Sequence, residues 1–195
     1  MELTAAAFLD ALHAEADETE RAKKQRYLHT GPETLVIGVR MKTLFATAKA
    51  SQRMPLDQVE QLLQNPYYEA RMGAVSILDF KARPVNTSDE QRHALYRVYM
   101  DNHDRIDNWD LVDRAAPRVV GWYLLDKSRE PLYELAASAD QWRRRTAITA
   151  TFFLIWNHQY DDARKLADLL AKDPAPLVRK SVGIARRELA KYDTP

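Results

Sequence analysis

The sequence predicts an all-α protein, and three observations support that fold class. Only five glycines occur in 195 residues, while helix-favouring residues such as Ala, Leu, Glu and Arg recur throughout. Apolar residues recur at three- and four-residue spacing along most of the chain, as on one face of an amphipathic helix. The single short apolar run that could form a strand, residues 35–39, has no other strand candidate to pair with. We therefore expect a loop that leads into a helix there.

Cap residues and helix breakers set the predicted boundaries in the first half of the chain. Thr4 is a good N-cap, residues 29–32 form a break, Pro55 opens a helix, and Asn65-Pro66 ends it. Thr87 or Ser88 caps a later helix, and Ser88 followed by Gln91 matches a capping box. The charged residues of the second helix are expected to face solvent. The predicted helices in this half are residues 4–16, 18–28, 41–51, 55–64, 67–81 and 88–101.

The second half continues the helical pattern. A helix from Trp109 to about residue 124 contains Pro117, which should kink it or divide it in two. The stretch from Gln141 to about residue 157 is long and strongly apolar, so it should lie at the centre of the fold. The other predicted helices are residues 128–137, 160–171 and 175–192, which gives ten or eleven helices in total.

A faint internal repeat indicates how these helices are organised. Arg71, Arg144 and Arg179 each begin an Arg-x-x-small apolar pattern near the start of a helix. Arg144 and Arg179 are 35 positions apart, and Arg71 and Arg144 are 73 apart, which is about twice that spacing. A period of roughly 35 to 40 residues per helix pair is typical of HEAT-like solenoids. We therefore predict one domain, residues 1–195, of antiparallel helix pairs, with residues 108–113 at the position of a missing repeat.

Composition excludes several classes of site. The chain has no cysteine, so disulfides, thiolate metal sites and a cysteine nucleophile are excluded. The five histidines are scattered without metal-ligand spacing, and no phosphate-binding glycine motif occurs, so no metal and no cofactor are expected. No secretory signal or membrane-spanning run is visible, and a cytoplasmic location is expected.

Charge is unevenly distributed along the chain. Residues 140–195 contain 11 Lys and Arg against 7 Asp and Glu, a net charge of +4, whereas the remainder is −3. A basic C-terminal third could form a phosphate-facing strip. Solvated helix faces with an excess of arginine would explain the same charges equally well.

Residues 107–113 combine an aromatic side chain with a carboxylate. A helix that begins at Trp109 places Trp109 and Asp113 on one face, where they would suit a flat or cationic ligand. Asp107, Asn108 and Asp110 have structural interpretations as N-cap or first-turn residues. Asp113 lies beyond the first turn, so it needs a cation or a hydrogen-bond partner if it is buried. Trp109 could equally be a core aromatic residue.

Three consecutive arginines could supply that positive charge. Arg143, Arg144 and Arg145 point about 100° apart on a helix, so at most one or two of them can face Asp113. A basic helix start is unfavourable for the helix dipole. A compensating anion is therefore expected, either a protein carboxylate or a phosphate.

These stretches resemble a known family. Residues 108–113, Gly121 and residues 142–148 are similar in order and spacing to the DNA alkylation repair glycosylases of the AlkD type, as are residues 68–71 and 180–189. The resemblance implies a HEAT-like α-solenoid with a concave, basic groove for double-stranded DNA. It also implies a monomeric, metal-free enzyme that excises cationic N3- or N7-alkylated purines by hydrolysing the N-glycosidic bond.

The resemblance also implies residue roles. Asp113 matches the catalytic carboxylate, and Trp109 matches an aromatic residue that packs against the deoxyribose. Arg145 matches a DNA-backbone contact, and DNA binding is expected also at Arg143, Arg144, Arg179 and Lys180. The family has a second cleft tryptophan where this chain has Ile184, which cannot offer an electron-rich face to a cation. The family's last helical pair is also expected to be missing after Pro195. These differences support an alternative, a non-catalytic DNA-structure-binding or scaffold protein.

Overall fold

The computed structural model describes residues 2–26, 28, 31 and 33–192, and this part of the chain forms eleven α-helices and no β-sheet. The all-α prediction and the expected number of helices are therefore confirmed. A short 3₁₀-helix, His103–Arg105, follows the sixth α-helix, and a π-helix, Ala116–Gly121, follows the seventh. The α-helices are α1 (Ala5–His13), α2 (Glu18–Gln25), α3 (Met41–Ala50), α4 (Leu56–Leu63), α5 (Tyr68–Ala82), α6 (Asp89–Asp101), α7 (Trp109–Ala115), α8 (Glu130–Ala136), α9 (Gln141–Trp156), α10 (Asp161–Leu169) and α11 (Pro176–Ala190).

Local capping chemistry places the helix ends where the sequence predicts them. The Thr4 hydroxyl accepts a hydrogen bond from the Ala7 backbone N–H at 3.2 Å, and Ser88 with Gln91 forms a complete capping box. Pro117 divides its helix, because the backbone changes from α-helix to π-helix at Ala116. Residues 35–39 are not a strand, and Leu35 forms one isolated bridge with Tyr67. Of the expected break, His29, Thr30 and Pro32 lie outside the described residues.

The chain divides into two compact units, Met1–Leu111 and Val112–Pro195. In the first unit α5 is the central helix, and it packs against α3, α4 and α6. Its first twelve residues are all buried. Gly73 lets the ring of Phe8 approach the backbone of α5, because a Cβ atom at this position would lie 2.5 Å from that ring.

In the second unit α9 is central, as its apolar sequence predicts, and it packs against α8, α10, α11 and the π-helix. Two contacts show that α9 and α11 run parallel. Arg145 reaches the Leu177 carbonyl, and Thr149 shares a hydrogen bond of 2.8 Å with Ser181, so the contacts advance together along both helices. The N-terminal turns of α9 and α11 therefore lie at the same end.

A buried carboxylate holds the extended segment before α3. Glu69 is completely buried and accepts hydrogen bonds from the backbone N–H groups of Ile37, Gly38 and Val39 at 2.9, 2.9 and 3.3 Å. The Lys24 amine lies 3.9 Å from Glu69 and donates to the Val39 carbonyl. The prediction that the charged residues of α2 face solvent is wrong for Lys24, because this lysine is needed beside the buried Glu69 carboxylate.

We expect the substitution Glu69→Ala to lower the free energy of unfolding by about 3–5 kcal/mol, because it leaves Lys24 uncompensated and three backbone N–H groups without an acceptor. Urea unfolding followed by circular dichroism measures the change. Glu60→Ala, at an exposed position of α4, is the control and should change stability by less than about 0.5 kcal/mol. Equal effects of the two substitutions would contradict the proposed role of Glu69.

Candidate functional site

An arginine near the start of three helices binds the preceding loop in the same way. Arg71, Arg144 and Arg179 are each the fourth residue of their helix, in α5, α9 and α11. In each case Nη1 donates to the two backbone carbonyls that lie six and five residues earlier in the chain. These carbonyls belong to Asn65 and Pro66, Ser138 and Ala139, and Asp173 and Pro174.

The residue six positions before each arginine also has a constant role. The side chains of Asn65, Ser138 and Asp173 accept hydrogen bonds from the backbone N–H two residues later, at 3.0, 3.2 and 2.8 Å. Arg71 and Arg144 bind a further carboxylate, Asp107 and Asp173 respectively. The arginine repeat in the sequence thus corresponds to the same set of hydrogen bonds at three helix starts.

The same spacing of six residues, counted from Asp107, leads to Asp113. If Asp107 is equivalent to Asp173, the residue six positions later is Asp113. On that count a carboxylate stands where three other helices have an arginine, although Asp113 is the fifth residue of α7 rather than the fourth. Asp113 lies in α7, four residues after Trp109, so the helix places both side chains on one face as predicted.

In the first unit, α5 holds the beginning of α7. Arg71 binds both oxygens of Asp107 at 3.1 Å, and the Tyr68 hydroxyl donates to Asp110 at 2.6 Å. Burial raises the pKa values of Asp107 and Asp110, although their hydrogen bonds act in the opposite direction. Both carboxylates thus have hydrogen-bond partners within the first unit. Trp109, which lies between them in the sequence, is half-buried.

In the second unit, Asp113 forms a bidentate ion pair with Arg145. The Nε and Nη2 atoms of Arg145 donate to the two carboxylate oxygens at 3.0 and 2.7 Å, and Nη1 donates to the Leu177 carbonyl. The Arg145 side chain is 2% exposed, whereas that of Asp113 is 32% exposed. A buried cation thus fixes the orientation of a carboxylate that solvent can reach.

The three consecutive arginines have different surroundings. Arg145 is the one that meets Asp113, whereas Arg144 binds Asp173 at 2.6 and 3.1 Å. The hydrogen bond that Arg144 donates to Asp173 raises the pKa of Arg144. Burial alone would raise the pKa of Asp173, but hydrogen bonds from Arg144 and the Ala175 backbone bring it below the usual value. Arg143 is half-buried and has no hydrogen bond or ion pair within the described ranges.

Positive charge collects at the N-terminal turns of α9 and α11. Neither helix has an acidic residue in its first turn. Arg179 and Lys180 are exposed near the start of α11, and Arg143 is at the start of α9. Backbone N–H groups at a helix start attract anions, although the Asp140 carboxylate already accepts the Trp142 N–H at the start of α9. The basic side chains make these two turns suited to phosphate groups.

Within the described part of the chain, no three His, Asp or Glu side chains are grouped so that they could hold a metal ion. A search of the same residues found no helix with the length and apolar character needed to cross a membrane.

Comparison with known proteins identifies the family. The sequence profile of the DNA alkylation repair enzymes matches residues 8–195. The chain belongs to this family. No curated protein sequence matches it significantly. Membership in the DNA alkylation repair family indicates DNA as the substrate.

One glycine in this DNA alkylation repair protein has no packing explanation. A Cβ atom at Gly121 would lie 2.1 Å from the Ala150 carbonyl oxygen, so close helix packing requires that glycine. At Gly183, in the middle of α11, a Cβ atom would meet only Arg187 Nη1, at an ordinary 3.7 Å. Glycine inside a helix is unfavourable relative to alanine, and no close contact among the described residues requires it at Gly183. The neighbouring Ile184 is half-buried.

The supporting residues of Arg144 and Arg145 were not predicted. Asp173, the Leu177 carbonyl and the Thr149–Ser181 pair make the hydrogen bonds that join α9 to α11 and to the loop before it. A signal for Asp173 exists in the sequence, because it precedes Arg179 by six residues, as Asn65 precedes Arg71. The carbonyl of Leu177 gives no such signal, since every residue has one.

We expect Gly183→Ala to raise the free energy of unfolding by about 0.5–1 kcal/mol, because alanine fits the available space and favours the helix. If the half-buried backbone at Gly183 contacts DNA, the same variant should bind duplex DNA more weakly. Chemical unfolding and fluorescence anisotropy measure the two effects. Gly121→Ala is the matched control and should destabilise the protein through its clash with α9. A destabilised Gly183→Ala variant would show that packing requires this glycine.

Proposed function

We propose that this protein is a DNA N-glycosylase of the AlkD type, which excises cationic N3- or N7-alkylated purines from duplex DNA by hydrolysis. The observation that supports this proposal best is the Asp113 carboxylate, which is one-third exposed and is fixed in place by the buried Arg145. Family membership supplies the substrate class, alkylated DNA.

The proposed chemistry needs little beyond a fixed negative charge. An N-alkylated purine is already cationic, so it can leave with the electron pair of the glycosidic bond without being protonated first. Positive charge then develops on the deoxyribose, and a preorganised carboxylate stabilises it. Water adds its oxygen to the anomeric carbon and releases a proton, which gives an abasic site and the neutral alkylated base.

In this mechanism Asp113 faces the sugar, and Arg145 is a positioning residue. The ion pair uses one lone pair of each Asp113 oxygen, which leaves a second lone pair on each atom for the sugar or for water. Trp109, on the same face of α7, would pack against the deoxyribose. Because the lesion carries its own charge, the chemistry does not require the enzyme to read and protonate a fully flipped base.

We further propose that the N-terminal turns of α9 and α11 bind the DNA backbone. Arg143, Arg179 and Lys180 would contact phosphates there, together with helix N–H groups. Arg144 and Arg145 are engaged by carboxylates and carbonyls, so direct phosphate contacts from these two residues stay predictions. The repeated loop-binding arginines and the parallel packing of α9 and α11 support HEAT-like repeats, and the concave basic groove stays a prediction. The monomeric state and the cytoplasmic location also stay predictions.

The alternative is a DNA-structure-binding or scaffold protein that does not hydrolyse the glycosidic bond. Two observations favour it. Ile184 stands where a cleft tryptophan is expected, and both oxygens of Asp113 are already paired with a full positive charge. In that case the Asp113–Arg145 pair would serve the fold alone.

We expect Asp113→Asn to reduce the release of 7-methylguanine from methylated duplex DNA by about 10²–10³-fold, because the variant loses the negative charge that stabilises the transition state. Chromatography of the released base measures the rate. Circular dichroism establishes that the variant is folded, and its affinity for DNA should change little.

The control for this experiment is Asp104→Asn, at an exposed position of the 3₁₀-helix, which should leave the rate unchanged. Full activity of Asp113→Asn would contradict the proposed mechanism. A wild-type protein that binds DNA but releases no base would instead support the non-catalytic alternative.

Replacing Arg143 should change the salt dependence of DNA binding. If Arg143 neutralises one phosphate, Arg143→Gln should reduce the slope of log affinity against log salt concentration by about 0.9. Anisotropy titrations of a duplex at several salt concentrations measure the slope. Arg53→Gln, at an exposed position of the first unit, should leave it unchanged. Identical slopes for the Arg143 variant and the wild type would exclude the phosphate contact.

A further inference from the structure

The first unit contains a cleft that the proposed repair chemistry does not use. It lies between α4, the end of α5 and the beginning of α6, and its volume is about 360 Å³. That volume falls within the range of small-molecule sites, roughly 300–1,000 Å³. The lining combines apolar side chains, including Leu56 and Leu95, with the polar side chains of Lys81, Asn86, Thr87 and Gln91.

Hydrogen bonds fix the loop that forms one wall of this cleft. The buried Arg92 donates from Nη1 to the Ala82 carbonyl at 2.9 Å and from Nη2 to the Pro84 carbonyl at 3.0 Å. The Thr87 hydroxyl donates to the Lys81 carbonyl at 3.3 Å. The connection between α5 and α6 is thus held from both sides, and the cleft is preformed.

Lys81 is the only charged residue among those that line the cleft. The side chain is half-buried, and its amine has no hydrogen bond or ion pair with any residue in the described ranges. Burial lowers its pKa, and no neighbouring carboxylate acts in the opposite direction. Asp89 and Glu90, at the start of α6, are exposed and do not pair with it. A partly desolvated cation without a counter-charge is unfavourable, and an anion in the cleft would relieve that cost.

Two amide side chains add hydrogen-bond donors. The Gln91 oxygen accepts the Ser88 backbone N–H in the capping box, so its Nε2 group is left as a donor. Asn86 makes no hydrogen bond within the described ranges. Leu56 and Leu95 add an apolar surface to the same cleft.

We propose that this cleft binds a small organic anion, whose oxyanion group contacts Lys81 and the amides of Asn86 and Gln91 and whose apolar part packs against Leu56 and Leu95. The site is independent of the proposed glycosylase function. No residue of the Asp113 site takes part in it.

Nuclear magnetic resonance titration of the full chain tests this site with three probes. Phenyl phosphate has both the oxyanion and an apolar ring, inorganic phosphate has the oxyanion alone, and benzyl alcohol has the ring alone. We expect phenyl phosphate to shift the amide resonances of residues 81–95 saturably and to bind more tightly than either of the other probes. The absence of saturable shifts in this segment of the wild-type protein would overturn the proposal.

Lys81→Met removes the charge and keeps the length of the side chain. It should weaken phenyl phosphate binding by about ten- to a hundredfold, the range for a hydrogen bond to a charged group. It should leave the weak binding of benzyl alcohol unchanged. Lys49→Met, at an exposed position of α3, is the matched control and should have no effect. Equal affinity of the Lys81 variant and the wild type would overturn the proposal, and Lys81→Gln replaces the methionine variant if that variant fails to fold.

Two further measurements separate the alternatives. Asp113→Asn should bind phenyl phosphate as the wild type does, even if it has lost base release, so failure of one proposal leaves the other standing. An undamaged DNA duplex should neither shift the resonances of residues 81–95 nor displace phenyl phosphate. Displacement by the duplex would show that the cleft is a contact for the DNA backbone and would overturn the assignment of a small-molecule site.

Discussion

A guanidinium group packed at a helix start needs acceptors for its N–H groups, and this requirement fixes the starts of α5, α9 and α11. Arg71, Arg144 and Arg179 meet it with two backbone carbonyls each, and the first two add a carboxylate. Every such arginine ties the first turn of its helix to the preceding loop. Helices that begin in the same way can pack against one another in the same way, which explains the parallel alignment of α9 and α11.

At Asp113 the side chain carries a negative charge instead of a positive one. Six residues after Asp107 the chain has a carboxylate rather than an arginine, and Arg145 supplies a positive charge beside it. The Asp113–Arg145 pair has no net charge, but its carboxylate is one-third exposed to solvent. A repeat that otherwise serves stability thus presents a fixed carboxylate, the group that a reaction with a developing sugar cation would use.

Charged side chains are compensated differently in the two units. In the first unit, Lys24 meets the buried Glu69, Arg71 meets Asp107, and Lys81 alone lines its cleft without an anion. In the second unit, basic residues gather at helix starts, where the helix dipole already favours anions. Protein carboxylates compensate Arg144 and Arg145. The remaining charge at Arg143 and Arg179 is suited to a polyanion, in agreement with the DNA alkylation repair family.

The sequence by itself determined the helices, the repeated arginines and the family. Helix starts and ends depend on residues close together in the chain, so Thr4, Ser88 and Pro117 were interpreted correctly. Trp109 and Asp113 could be placed on one face because four residues make about one turn of a helix.

Only the tertiary structure decided which arginine meets Asp113, because three consecutive residues point in three directions and the packing of α9 selects one. It also decided the burial of Lys24 beside Glu69, the part played by the Leu177 carbonyl and the existence of the cleft at Lys81. These features join residues far apart in the chain, and a backbone carbonyl or an empty volume has no signature in the order of amino acids.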